Sequence, residues 1–121
     1  MIKIDVVGLK EAKRFARRKE QKVTVEEQKG IANAAIFMQG EVKLSIAGER
    51  PELKSVDTGH FLNSVDVSFS TGEAIVFTEV PYGPFLEYGT SKFHARKHFQ
   101  NSKFRNEQKV MQIVQKAINK I

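Results

Sequence analysis

The chain has 121 residues, no cysteine, 40% hydrophobic residues and a formal net charge of +6. That length gives one domain, residues 1–121, with room for one modest core, and the apolar fraction argues against disorder. The lack of cysteine excludes a disulfide framework and a thiolate metal site and fits folding in a reducing cytoplasm.

No segment approaches the ~20 apolar residues that span a bilayer, so no membrane partner is expected. Met1-Ile2-Lys3-Ile4-Asp5 opens no apolar run of the kind found in a signal peptide. The charge is uneven. From Lys92 to Ile121 eight Lys or Arg stand against one acid, net +7, so residues 1–91 sum to −1. A second basic cluster comprises Lys10, Lys13, Arg14, Arg17, Arg18, Lys19 and Lys22. Such patches suit a polyanion or an acidic protein surface.

Ile2, Ile4 and Val6 alternate with Lys3 and Asp5, which predicts a short strand ended by Gly8. Leu9 to Lys22 reads as a helix with a thin apolar face (Leu9, Ala12, Phe15, Ala16) that a neighbour must cover. Thr24 and Glu27 form a capping-box pattern. A long helix is expected from there to about Ala47, with Gly48 as its C′ stop and Ile31, Ala35, Met38, Val42 and Ile46 along one stripe widened by Ala32 and Phe37. Gly30 and Gly40 lie inside it, each costing about 1 kcal/mol relative to Ala, and each marks a close packing contact or a bend. Glu49-Arg50-Pro51-Glu52 is a loop. A turn or helical segment then leads through Asn63. The alternation of Val65, Val67 and Phe69, the turn Thr71-Gly72-Glu73 and the stretch Ala74 to Val80 predict a hairpin. Pro84 to Tyr88 suits a helical turn closed by Gly89, Thr90 to Lys97 a polar loop, and Asn101 or Ser102 the cap of a final helix. In that helix Val110, Ile113, Val114, Ala117, Ile118 and Ile121 repeat at amphipathic spacing.

Asp57-Thr58-Gly59 spells the tripeptide of aspartic proteases. That chemistry needs two carboxylates sharing one proton on an all-β framework, whereas helices dominate here. The Asp therefore reads as a turn residue whose side chain bonds nearby backbone N–H groups, with Gly59 in a conformation barred to residues with a Cβ. His94 and His98, four apart, would share a helix face and offer two metal ligands. No third ligand is evident and Arg96 and Lys97 adjoin them, so a solvated basic loop is expected and no metal or other cofactor is assigned. His60 reads as a turn or surface residue. Phe93, Phe99 and Phe104 are interleaved with basic residues, as in proteins whose cations meet phosphates while rings stack on bases, although no helix-turn-helix, zinc-finger or RNP signature accompanies them. Phosphate-binding Gly loops are absent, and Ser64 lacks a nucleophile elbow.

Three stretches stand out together. The first is Val56, Asp57-Thr58-Gly59, His60-Phe61, Leu62, Asn63 and Ser64. The second runs from Tyr82 to Glu87-Tyr88-Gly89-Thr90. The third is Ala95-Arg96-Lys97-His98-Phe99. In this order, over roughly residues 20–121, the chain resembles the small neck, head–tail joining or tail-completion proteins of tailed bacteriophages, the gene-product-ten-like family of lambdoid phages. The third stretch departs from the family's pattern: the Pro before Phe is missing and one residue is added. The resemblance implies a structural virion protein, not an enzyme, at the head–tail junction of a phage or prophage. Its copies are expected in a ring, sixfold by expectation, through unlike patches on neighbouring subunits. Helix 9–22 and the exposed hairpin edge are candidates for those patches. Implied partners are the head-closure or connector protein and the tail terminator or tail tube, and implied locations are the virion and, during assembly, the bacterial host cytoplasm. Arg96, Lys97, Lys103 and Arg105 are the candidates for facing DNA in the channel.

The expected architecture is α+β: a small antiparallel sheet packed by one long central helix and a C-terminal helix. Phe85, Leu86 and Tyr88 are expected as core anchors or interface aromatics. The rival function is non-specific nucleic-acid binding.

Overall fold

The long amphipathic stripe beginning near Val25 organises everything that packs around it. The computed structural model describes residues 2–7, 25–52, 59–70, 72–91 and 94–118. Strand β1 (Ile2–Val7) is followed by helix α1 (Val25–Ile46), a helical turn α2 (His60–Asn63), strands β2 (Asp66–Ser70) and β3 (Glu73–Thr78), and helices α3 (Gly83–Tyr88), α4 (His98–Arg105) and α5 (Glu107–Ile118). The predicted helix 9–22, Asp57, Thr58 and Phe93 lie outside the described residues, as does Thr24 of the capping box. Among the described residues no helix is long and apolar enough to cross a membrane.

Ile31, Ala35, Met38, Val42 and Ile46 are all buried, as their spacing predicts, and Ala32 and Phe37 are half-buried beside them. This face of α1 meets α5, the sheet and α4. The helix ends where predicted. Gly48 has φ +90°, its N–H donates to Ser45 O at 3.2 Å and Glu49 N–H donates to Leu44 O at 2.9 Å. These are the paired 5→2 and 6→1 bonds of a Schellman stop.

The sheet has the order β1-β3-β2, antiparallel throughout. Its hairpin is the predicted one, turning through Gly72 at φ +75°. Ile2, Ile4 and Val6 of β1 and Ala74, Val76 and Thr78 of β3 alternate inward and are buried, the period-2 signature of a sheet with one covered face. Covering them are α1 and, on β1, α4 with its buried Phe99, while Val110 and Val114 of α5 are buried where α5 packs on α1. The fold is therefore α+β, a small antiparallel sheet packed by the long helix, with the C-terminal helix α5 packed on that long helix.

The last helical region differs from expectation. It is two helices, and the first starts at His98, three residues before the expected cap. The break falls at Asn106, where φ is −113°. The Asn106 Nδ2 donates to Ser102 O at 2.9 Å, a local side-chain bond that competes with helix continuation.

The two glycines inside α1 have opposite surroundings. A Cβ on Gly30 would lie 2.6 Å from Ala117 Cβ, whereas one on Gly40 meets nothing within 4 Å. Gly30 thus marks the close approach of α1 to α5, and Gly40 has no packing duty. In urea denaturation, Gly30→Ala should destabilise by about 1–3 kcal/mol through overpacking. Gly40→Ala should stabilise by about 0.5–1 kcal/mol through helix propensity.

Candidate functional site

The described residues of the three sequence stretches converge where the end of β3, the turn α2, helix α3 and the start of α4 meet. Gly59, at φ +83°, adopts the left-handed conformation expected of it and opens α2. At the other end of α2, Ser64 Oγ donates to Phe61 O at 2.6 Å and lies 2.6 Å from Thr78 Oγ1. Thr78, the last residue of β3, is fully buried, and its Oγ1 accepts from Val80 N–H at 3.3 Å. The first stretch is thereby fastened to the strand that leads into the second. Leu62 is half-buried against the core.

Phe61, a spacer in the sequence pattern, is the pivot of the cluster. Its ring lies 6.0 Å from Tyr82, edge-on, and 6.1 Å from His98. It touches one residue of the second stretch and one of the third. His60 is exposed and tilts against Tyr82 at 6.4 Å.

The second and third stretches are joined by Glu87. Helix α4 begins after Lys97, whose φ of +52° is the one positive value among the described non-glycine residues and whose side chain makes no capping bond. The N-terminus of α4 is buried, with His98 and Phe99 fully so. The cap comes from elsewhere: Glu87 Oε1 accepts from Phe99 N–H and Oε2 from Gln100 N–H, both at 2.9 Å. A carboxylate there satisfies orphan donors and meets the positive end of the helix. Burial pushes the Glu87 carboxyl up from its ordinary range, while the two backbone bonds pull it back. Arg96 N–H donates to Leu86 O at 2.8 Å and Lys97 N–H to Glu87 O at 3.2 Å, so the returning chain lies along α3. Gly89 makes room for it: φ is +79°, and a Cβ would sit 2.6 Å from Ala95 N.

His98 corrects an expectation. It is not part of a solvated loop but fully buried, whereas His94 is exposed and precedes the helix, so the two share no helix face. His98 Nδ1 lies 2.8 Å from Ser45 Oγ, which donates to Glu52 Oε1 at 2.6 Å. Glu52 Oε2 also accepts from Asn101 at 3.2 Å, and Arg105 forks onto both oxygens at 3.0 and 3.1 Å. Burial raises the Glu52 carboxyl, but the bonds from Arg105, Ser45 and Asn101 outweigh it and hold the carboxyl at about 2. Glu52 is therefore ionised and takes the single hydroxyl proton of Ser45. Ser45 in turn accepts from His98, which requires the Nδ1–H tautomer. Burial depresses His98 to about 4, opposed by Glu52 and aided by Arg96. Ser45 is fully buried and donates to a carboxylate rather than to an imidazole base, so this row ties the end of α1 to α4 instead of activating a nucleophile.

The four candidate DNA-facing cations do not act alike. Arg105 is committed to Glu52. Arg96 is half-buried, Lys97 is exposed, and Lys103 borders a groove beside β1. Phe99 is core, while Phe104 is 70% exposed. Phe85 and Tyr88 are also mostly exposed and so are not core anchors; Leu86 is half-buried, and Thr90 lies on the surface. Ser45, Glu52 and Thr78 carry no sequence signal of their own, because their side-chain partners lie 7 to 53 residues away. Comparison of the chain with family models, curated proteins and solved structures finds no match.

Glu87→Ala should cost about 2–4 kcal/mol in urea unfolding, the sum of a lost cap and buried N–H groups left unpaired. For pH, the depressed His98 makes the unfolded chain bind a proton first as pH falls. Stability should therefore drop between pH 6.5 and 4, by roughly 3 kcal/mol from this group. Glu52 extends the loss from pH 4.5 towards 2, and Glu87, being raised, partly offsets it. Unfolding of His98→Gln followed across pH 7 to 4 should lose most of the slope above pH 4.5.

Proposed function

We propose that this chain is a structural virion protein at the head–tail junction of a tailed phage or prophage, acting in head–tail joining or tail completion as one copy of a ring. One observation carries the proposal. The described residues of the three stretches behind the family resemblance form one interlocked unit, in which Phe61 contacts Tyr82 and His98 while Glu87 caps α4. Residues scattered over the sequence and spent on holding one another are what a shared structural framework requires. Beside that framework, Tyr82 at the cap of α3 and Phe85 and Tyr88 within it stand three positions apart, each at least 40% exposed. Aromatics so placed suit a protein partner. The head-closure or connector protein on one side and the tail terminator or tube on the other are the partners in this proposal, and the virion, after assembly in the host cytoplasm, is its place. No catalytic step is assigned.

The exposed Phe104 beside Lys103 supports the rival reading, a basic nucleic-acid-binding protein, since cations and a free ring can take up a single strand. The two readings separate by experiment. Deleting the gene from the parent phage and imaging an induced lysate should show heads lying apart from complete tails, restored by the gene in trans. Overlong or unfinished tails would move the protein to the tail end. Intact infectious virions would defeat the junction role. Reversing Lys97 and Lys103 together should lower titre with urea stability unchanged if these face the channel. DNA affinity of the purified protein that falls steeply with salt would favour the rival.

A further inference from the structure

The two edges of the sheet differ in what guards them. On and beside β2, main-chain groups are already met by side chains. Asp66 Oδ1 accepts from Val67 N–H at 2.8 Å, Gln28 Nε2 donates to Ser70 O at 3.2 Å, and Gln39 Nε2 donates to Val65 O at 2.9 Å. Among the described residues β1 has no strand beyond it. An open groove of about 490 Å³ borders it instead, with residues 2–5 on one side and Tyr88, Lys103 and Phe104 on the other. Side chains alternate across a strand, so four consecutive residues share this groove along the strand's edge, where unpaired N–H and C=O groups point. Such an edge takes up another strand.

The charges on that edge select the strand. Lys3 and Asp5 are both exposed, on the face opposite buried Ile2 and Ile4. The groove's other acid, Glu87, is held by two N–H groups of α4. Lys3, Ile4 and Asp5 read base, apolar, acid in one direction and acid, apolar, base in the other. A second copy laid antiparallel with Ile4 opposite Ile4 therefore sets each Lys3 directly against the other copy's Asp5, twice over. A register two residues away puts Lys3 against Lys3 or Asp5 against Asp5, and like charges directly opposite destabilise a ladder. A slip of one residue turns the apolar set to the solvent face. We propose that two copies of this chain associate through β1, antiparallel about Ile4, joining their two three-stranded sheets into one. All three residues lie on the groove and in the regular part of β1, ahead of the irregularity between Asp5 and Val7. Residues directly opposite in a ladder share a face, so the helices of both copies cover the same side of the joined sheet. The two grooves, with Tyr88 and Phe104 61% and 70% exposed, then open onto one seam. The contact is isologous and closes at two copies. It is separate from any ring contact and does not rest on the junction reading.

Sedimentation equilibrium of the purified chain from micromolar to millimolar concentration should show monomers in exchange with dimers. Lys3→Asp and Asp5→Lys, both at exposed positions, should each weaken the dimer about two- to fivefold at each of its two contacts, about 4- to 25-fold in all, the size of exposed ion pairs. Mixed together, the two variants should pair with each other at about wild-type strength, because every acid then faces a base. The double variant should recover the homodimer for the same reason. Unchanged urea midpoints show that the variants stay folded. Amide exchange at residues 2–5 should slow as the dimer fills, while that of β2 stays as it was. A wild-type chain that remains monomeric to the millimolar range, a mixture that associates no better than either variant alone, or slowing at β2 in place of β1 would overturn the pairing.

Discussion

The buried N-terminus of α4 needs acceptors that its own residues do not provide. Lys97 stands where a capping side chain belongs and makes no such bond, and His98 and Phe99 are shut away from water. An unpaired backbone N–H in that setting costs as much as a lost hydrogen bond or more. Glu87, eleven residues upstream of His98, meets the need with both oxygens. To do so it must be buried on α3, and the chain between must fold back within hydrogen-bond reach. That return is possible only because Gly89 has no Cβ. The glycine, the acid and the loop are three parts of one requirement.

The same helix is tied at a second point by the opposite strategy. Glu52 is held ionised by a forked arginine, an amide and a hydroxyl, and the hydroxyl orients a neutral buried histidine. The two carboxylates therefore titrate in opposite directions although both serve α4. Where cations and donors outnumber the loss of water, the acid stays charged at low pH. Where only two backbone N–H groups compensate, burial wins. The molecule thus joins its first long helix to its C-terminal region through polar groups as well as through the apolar face of α1.

With this framework closed inward, the residues left facing water acquire a different meaning. Phe69, Tyr82, Phe85, Tyr88 and Phe104 are large rings left between 40% and 70% exposed. They divide between α3 and its cap, the outer strand β2 and the end of α4.

By itself the sequence determined the elements whose cause is local. The stripe of α1, its glycine stop, the hairpin, the inward alternation of β1 and the left-handed Gly59 all follow from periodicity or from one residue's backbone freedom, and all stand where the pattern places them. The three motif stretches were also legible as motifs. Tertiary structure alone decided what joins them. That β1 pairs with β3, that Phe61 is a pivot rather than a spacer, that His98 is buried against Ser45, and that α4 starts at least four residues early under a distant carboxylate all depend on groups brought together across 12 to 76 residues. Pairings at such separations leave no period in the sequence, because the partner's position is fixed by how whole elements pack and not by the neighbours along the chain.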